Sequence, residues 1–278
     1  MSQLVLTALL VTVVWCTIDP KTIPMFKTNL SMSFPVYKPK VTLPTGDVLS
    51  DPYSMNDLLA ANPYFLSKYS VTTKEIMQQV LPDGFPQTKV YAYGGDCYDS
   101  LSGQTLGTVY GWPGPAFFLQ RYGRVETTWR NGLTGKHMFA IERNLDFMRQ
   151  GIDFDKFIPN VAHVHGMANP SKSDGIPEAW FTNDGLQGAH YFTNNNPQLR
   201  NESVYPMANQ QEEATLFYHD HSLAMTRLNL YAGLAGFLAI QDPQSTLSRV
   251  FDKKHDIFLA IADRSFNSDG SLYYPSRG

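Results

Sequence analysis

The sequence predicts an all-β protein that folds as a Greek-key β-sandwich. The 278-residue chain is rich in Tyr (15) and Phe (17), which favour strands, and its 20 Gly and 18 Pro divide the apolar runs into short pieces. Hydrophobic residues make up 43% of the chain and charged residues 17%, so the material for a packed core is present. The formal net charge is −3 and no basic cluster occurs, which excludes nucleic acid as the main partner.

The first 16 residues, MSQLVLTALLVTVVWC, form an apolar run with the length of a signal peptide. This run predicts a secreted or extracellular protein, and the sequons at Asn29 and Asn201 are compatible with that route. No Lys or Arg precedes the run and no clear cleavage site follows it, so a buried first strand or a misplaced start codon are the alternatives. Cleavage near Cys16 would leave Cys97 alone, without an internal disulfide framework.

Residues 17–85 are rich in Pro and Lys, and we interpret them as an N-terminal extension. An amphipathic stretch at 55–82 predicts one or two short helices in this extension. From residue 88 the pattern changes to short apolar runs separated by Gly and Pro, which predicts strands and a first domain over 86–243. The remaining segment, 244–278, is too short for a core of its own. It either begins a second domain or packs onto the first.

Four of the seven histidines occur in two His-x-His pairs, His163 with His165 and His219 with His221. In a strand, residues i and i+2 point to the same face about 7 Å apart, so each pair projects from one face of its strand. That spacing suits two imidazoles that reach separate ions of one cluster. A nitrogen-only set without thiolate or carboxylate partners favours copper. The alternative is a set of histidines satisfied by ordinary hydrogen bonds. His137, His190 and His255 lie in polar contexts and are predicted to be surface residues.

The segments around these pairs resemble the multicopper oxidases, in the branch of spore-coat laccase, bilirubin oxidase and phenoxazinone synthase. The resemblance covers roughly residues 85–278 and lies in HVHG with SDGIPEAWF, in YPMANQQEEATLFYHDHSLAMTRLNLYAGLAGFLAIQDP, in GWPGPAFFLQRYGRVETTWRNGL and in DRSFNSDGSLYYPS. It implies that 86–243 is a cupredoxin domain and that 244–278 begins a second, incomplete one.

The resemblance also implies roles for the matched residues in a trinuclear copper cluster. His163 would bind the type 2 copper, and the type 3 pair would be bound by His165, His219 and His221. Asp174, in SDG, would help to supply protons during dioxygen reduction, although Asp-Gly is also an ordinary turn dipeptide. Arg227 and Asn229 would fix the backbone that presents the histidines.

A complete member of this family carries a further cupredoxin domain with another His-x-His and a His-Cys-His segment. Neither Cys16 nor Cys97 has an adjacent histidine, so the type 1 copper site is absent and half of the trinuclear ligands are present. The resemblance therefore implies the N-terminal part of an enzyme that couples one-electron oxidation of phenolic or bilirubin-like molecules to the reduction of O2 to water, with the missing C-terminal cupredoxin domain as its partner. The isolated chain is expected to be inactive.

Three alternatives to a multicopper oxidase remain. One is non-catalytic, and the other two are enzymes that fit the histidine pairs less well. A truncated, non-catalytic copper-binding cupredoxin domain would keep the half site without turnover. A cupin-type dioxygenase needs a Glu a few residues after the pair, whereas the nearest after His165 is Glu178. A zinc hydrolase needs a general base near the histidines, and the sequence offers no convincing one.

Overall fold

The computed structural model describes residues 17–42, 48–49, 66–141, 153–193, 198, 200–242, 244–246 and 257–275, and these are mostly β-structure. The strands are β1 (Pro35–Tyr37), β2 (Lys40–Thr42), β3 (Val48–Leu49), β4 (Leu66–Gln78), β5 (Thr88–Asp99), β6 (Thr105–Gly111), β7 (Gly114–Gln120), β8 (Arg124–Asn131), β9 (Ala162–His165), β10 (Glu202–Met207), β11 (Ala214–Asp220), β12 (Ala235–Gln241), β13 (Ser265–Phe266) and β14 (Leu272–Tyr273). An α-helix, α1, spans Thr226–Ala232, and short 3-10 helices span Pro20–Thr22, Ser171–Ser173 and Pro177–Ala179.

Twelve of the described strands form one curled sheet, in the order β10-β8-β4-β5-β1-β7-β12-β11-β9 with β2, β3 and β6 attached at its side. Most neighbours are antiparallel, and the pairs β1–β7, β7–β12 and β4–β8 are parallel. The hairpin β13–β14 forms a separate two-stranded sheet. The two histidine strands, β9 and β11, are therefore neighbours at one end of the main sheet.

The interior of the curled sheet is packed with aromatic side chains. Tyr218, on β11, is fully buried, and its ring centroid lies 5.1 Å from that of Tyr93, 5.2 Å from that of Phe117 and 5.7 Å from that of Trp129. Its hydroxyl group donates a hydrogen bond of 2.8 Å to the backbone oxygen of Pro115. This cluster joins strands β5, β7, β8 and β11 from behind the histidine face.

Strand β4 corrects the prediction of short helices in the N-terminal extension. Within the stretch 55–82, residues 66–78 form a 13-residue strand, and 55–65 lie outside the described residues. Tyr69, Val71 and Thr73 are buried at every second position, because alternate side chains of a strand point to the same face and this face packs on the core. β4 lies between β5 and β8 in the sheet. Pairing on both sides outweighs the weak helical pattern of this segment. The segment interpreted as an extension therefore contributes β1, β2, β3 and β4 to the main sheet.

The strands predicted from residue 88 onward are present up to Gln241, as β5 to β12. After that point, the described strands are those of the hairpin β13–β14, and residues 257–264 form no strand. Leu259 and Ile261 are exposed there, and the described ranges offer no neighbouring strand that pairs with this run. The predicted signal peptide, 1–16, lies outside the described residues. No helix within the described ranges has the length and apolar character needed to cross a membrane.

We expect Tyr218→Phe to lower the free energy of unfolding by about 1–2 kcal/mol, because the buried oxygen of Pro115 loses its donor. Urea denaturation of the purified chain measures this. The matched control is Tyr122→Phe, which removes a hydroxyl from a ring that is 56% exposed, and its effect should stay within about 0.5 kcal/mol. Equal midpoints for the two variants would contradict the assigned hydrogen bond.

Candidate metal centre

Strands β9 and β11 place the two His-x-His pairs side by side. They pair antiparallel, with His163 opposite His219 and Phe217 opposite His165. Val164, between His163 and His165, and Tyr218, directly before His219, point to the other face and are buried in the core. The alternation predicted for both strands is therefore confirmed.

The four imidazoles converge on one small region. Ring centroids lie 4.8 Å apart for His163 and His221, 5.5 Å for His163 and His219, and 5.6 Å for His219 and His221. The His165 ring lies 5.7 Å from His163 and 5.6 Å from His219. Potential ligand nitrogens of His163, His165 and His219 all lie within 4.8 Å of one another. This spacing allows the three rings to hold a metal ion.

Backbone carbonyl groups fix the tautomers of two of these rings. His163 Nδ1 lies 2.6 Å from the backbone oxygen of Asp174, and His219 Nδ1 lies 2.7 Å from the backbone oxygen of Asp220. A carbonyl oxygen can only accept a hydrogen bond, so Nδ1 carries the proton in both rings. The lone pair of each neutral ring is then on Nε2, which is the nitrogen left free to bind a metal ion.

The electrostatic environment favours neutral imidazoles. Burial lowers the pKa of His219 to about 4; the hydrogen bond to Asp220 opposes this shift, and the neighbouring histidines add to it. Burial also lowers the pKa of His221, followed by repulsion from His163. Neutral imidazole is the form that donates a lone pair to a metal. Near neutral pH these two rings are therefore in the state required of ligands.

Asp174 reaches the site because a glycine follows it. Gly175 has φ +70°, and a Cβ atom there would lie 1.9 Å from the backbone oxygen of Ala162. This close approach brings the Asp174 loop against β9. The Asp174 carboxylate atom Oδ1 lies 3.5 Å from His163 Nδ1 and is buried without a hydrogen-bond partner. Asp174 is thus at the histidine cluster, and its role in proton supply stays a prediction.

The two other residues predicted near the site differ in what they contact. Asn229, in α1, is buried and donates through Nδ2 to the backbone oxygen of Pro159 at 2.9 Å. It therefore supports the segment that leads into β9. Arg227 instead places its guanidinium group 5.4 Å from the ring centroid of Tyr274. The backbone-fixing role of Arg227 and Asn229 stays a prediction, and Asn229 makes a backbone contact of that kind.

Asp220 is a structural residue that the sequence reasoning did not single out. It is fully buried on the face opposite the histidines. Its carboxylate accepts hydrogen bonds from the backbone nitrogen of Val161 at 3.1 Å and from the hydroxyl group of Ser222 at 2.8 Å. Burial raises its pKa to about 6, and these hydrogen bonds act in the opposite direction. The sequence did offer a signal, because Asp220 lies between two histidines in an apolar strand. A carboxylate buried there needs several hydrogen-bond donors, which indicates a structural role.

His137 corrects one prediction, because it is buried rather than at the surface. Its Nδ1 accepts a hydrogen bond of 3.0 Å from the backbone nitrogen of Phe139, and its Nε2 donates to Asn229 Oδ1 at 3.1 Å. The polar turn around it packs under α1, which the local sequence did not indicate. His190 is exposed as predicted, and His255 lies outside the described residues.

Comparisons with known proteins agree with this geometry. Residues 159–245, which contain both histidine strands, match the family model described as multicopper oxidase. A laccase of Bacillus subtilis (strain 168) is 36% identical over 208 residues, which are 75% of this chain and 36% of that protein. A laccase of Bacillus stratosphericus is 36% identical over 209 residues, with the same coverage. The chain belongs to the multicopper oxidase family.

A solved structure supports the fold of this multicopper oxidase chain. The multicopper oxidase from Campylobacter jejuni, titled a metallo-oxidase, aligns with a TM-score of 0.50 at 18% identity, over 85% of this chain and 34% of that one. The cupredoxin-like fold class is thereby confirmed. The chain spans about a third of the length of the curated relatives and structures named above.

The histidine cluster fits the copper that this family implies. Its donor set consists of imidazole nitrogens, which suit copper. His165 Nδ1 and His219 Nε2 lie 3.4 Å apart. Two nitrogens that bind one ion at about 2.0–2.1 Å in a tetrahedral arrangement have about this separation. His219, with a pKa lowered by burial and a fixed tautomer, meets the remaining requirements of a ligand.

We expect Gly175→Ala to destabilise the chain by about 1–3 kcal/mol more than Gly135→Ala, as measured by chemical denaturation. Both glycines have a positive φ, +70° and +77°, so both variants carry similar backbone strain. At Gly135 a Cβ atom meets nothing within 4 Å, whereas at Gly175 it meets the backbone of β9. Equal losses in the two variants would show that the loop does not press against β9.

Proposed function

We propose that this chain supplies half of the ligands of a trinuclear copper cluster in a laccase-like or bilirubin-oxidase-like enzyme. The observation that carries the proposal is the convergence of four imidazoles from β9 and β11. His163 would bind the type 2 copper, and His165, His219 and His221 would bind the type 3 pair. The enzyme would oxidise phenolic or tetrapyrrole-like molecules by single electrons and reduce O2 to water.

When bound, the copper cluster supplies the redox chemistry of dioxygen reduction. The chain's own residues would bind the copper ions and orient the histidine rings. His163 and His219 present Nε2, because hydrogen bonds to backbone oxygens occupy their Nδ1 atoms. Asp220 and Asn229 tie the segment before β9 to the end of β11 and to α1, which keeps the two ligand strands in register. Contacts that orient the ligands in this way commonly contribute about 10- to 100-fold to metal affinity.

Asp174 is the proposed source of protons. The reduction of dioxygen to water consumes protons, and a carboxylate beside the site can hold and release them. Its buried Oδ1 lies 3.5 Å from His163 Nδ1 and has no hydrogen-bond partner, so it is available to a water molecule or a proton.

A further cupredoxin domain of the same enzyme would supply the other ligands and the type 1 copper that receives electrons from the substrate. Neither cysteine of this chain has an adjacent histidine, which is consistent with an electron entry site elsewhere. The apolar run at 1–16 supports export of the protein, and secretion is part of this proposal.

We expect the purified chain to bind Cu(II), and the double variant His163→Ala/His221→Ala to bind it at least about 100-fold more weakly, because two ligands are lost. Equilibrium dialysis with metal analysis measures the affinity. His190→Ala is the matched control, since it removes one exposed imidazole outside the cluster and should leave binding unchanged. Copper binding that survives the double variant would place the metal elsewhere.

A non-catalytic copper-binding domain is the second candidate, favoured by the half set of ligands. We expect the copper-loaded 278-residue chain to show no oxygen consumption with a phenolic substrate, because electron entry requires the type 1 site. An oxygen electrode measures turnover, with free Cu(II) at the same concentration as the control. Turnover above that of free copper would refute the requirement for a second domain.

A further inference from the structure

Phe217 lies on the same face of β11 as the paired histidines. Its side chain is 39% exposed, whereas its neighbour Tyr218 points to the core and is fully buried. An exposed aromatic residue is not unusual by itself. The rings that Phe217 contacts set it apart, because both belong to the proposed ligand set.

The Phe217 ring stacks against two imidazoles. Its centroid lies 4.9 Å from that of His165 with an interplanar angle of 18°, and 4.8 Å from that of His219 with an angle of 22°. His165 is its cross-strand partner on β9, and His219 is two residues along on β11. Both contacts have the near-parallel geometry of offset stacking, which stabilises aromatic pairs beyond their buried area.

Among the described residues, His165 lacks the backbone hydrogen bond that orients the rings of His163 and His219. His163 and His219 are oriented by hydrogen bonds from Nδ1 to backbone oxygens. In the part of the chain that the structure describes, the polar contact of His165 is the approach of its Nδ1 to His219 Nε2, and no backbone group fixes its ring. Rotation about χ2 of histidine is soft, so an unsupported ring samples several orientations. Stacking on Phe217 defines the plane of the His165 ring.

We propose that Phe217 is a positioning residue of the copper centre. By stacking on His165 and His219, it holds His165 Nδ1 and His219 Nε2 at a separation suited to one shared ion. This inference rests on the proposed function, because it takes both histidines as copper ligands. At His165 an apolar side chain would orient the imidazole ring, whereas hydrogen bonds to backbone oxygens orient the rings of His163 and His219.

The test compares Phe217→Leu with Phe237→Leu in the full 278-residue chain. Phe237 lies directly opposite Phe217 on β12, and its ring contacts Phe258 rather than a histidine. We expect Phe217→Leu to weaken Cu(II) affinity by about 10-fold or more and to broaden the electron paramagnetic resonance spectrum of bound Cu(II), because His165 is no longer fixed. Phe237→Leu should match the unaltered chain in both measurements. Phe217→Trp, which keeps an aromatic plane, should restore both.

Proton NMR of the metal-free chain separates this inference from the proposed function. Ring current from Phe217 should shift the His165 ring protons upfield, and Phe217→Leu should return them towards the positions of a free imidazole. His165 signals that do not move would overturn the positioning role, and so would equal losses of copper affinity in Phe217→Leu and Phe237→Leu. If the unaltered chain binds no copper while these signals do move, the proposed function fails and the stacking role stands.

Discussion

The register between β9 and β11 is the constraint on which the metal centre depends. His163 lies opposite His219, so both pairs project from the same face and their rings meet. A shift of one residue would turn one pair towards the core and bring Val164 or Tyr218 to the outer face. The buried ring of Tyr218, packed among Tyr93, Phe117 and Trp129, opposes such a shift.

Hydrogen bonds outside the sheet ladder reinforce this register. The backbone nitrogen of His221 donates to the backbone oxygen of Val161 at 2.9 Å, and the Asp220 carboxylate accepts from the backbone nitrogen of Val161 at 3.1 Å. Asn229 adds a bond from α1 to Pro159. The segment before β9 is therefore held from two sides. A buried carboxylate that loses its hydrogen-bond donors strongly destabilises a protein. A shifted register between β9 and β11 would remove the donors of Asp220 and is therefore unfavourable in free energy.

Three of the four imidazoles are oriented in two physically different ways. Backbone oxygens of Asp174 and Asp220 select the tautomer of His163 and His219, because they accept only an N–H. Aromatic stacking on Phe217 restricts the plane of His165 without selecting a tautomer. The two nitrogens that face each other across 3.4 Å, His165 Nδ1 and His219 Nε2, are accordingly of different types.

The sequence by itself determined the β-class, the strands around both His-x-His pairs and the shared face of each pair, because a period of two depends on local backbone geometry alone. The motif HDHSLAMTRLNLYAGLAG was enough to indicate the family. Only the tertiary structure decided that 66–78 is a central strand, that His137 is buried against Asn229, and that Phe217 stacks on two histidines. Each of these features depends on which distant segments become neighbours, and local residue patterns do not encode such long-range pairing.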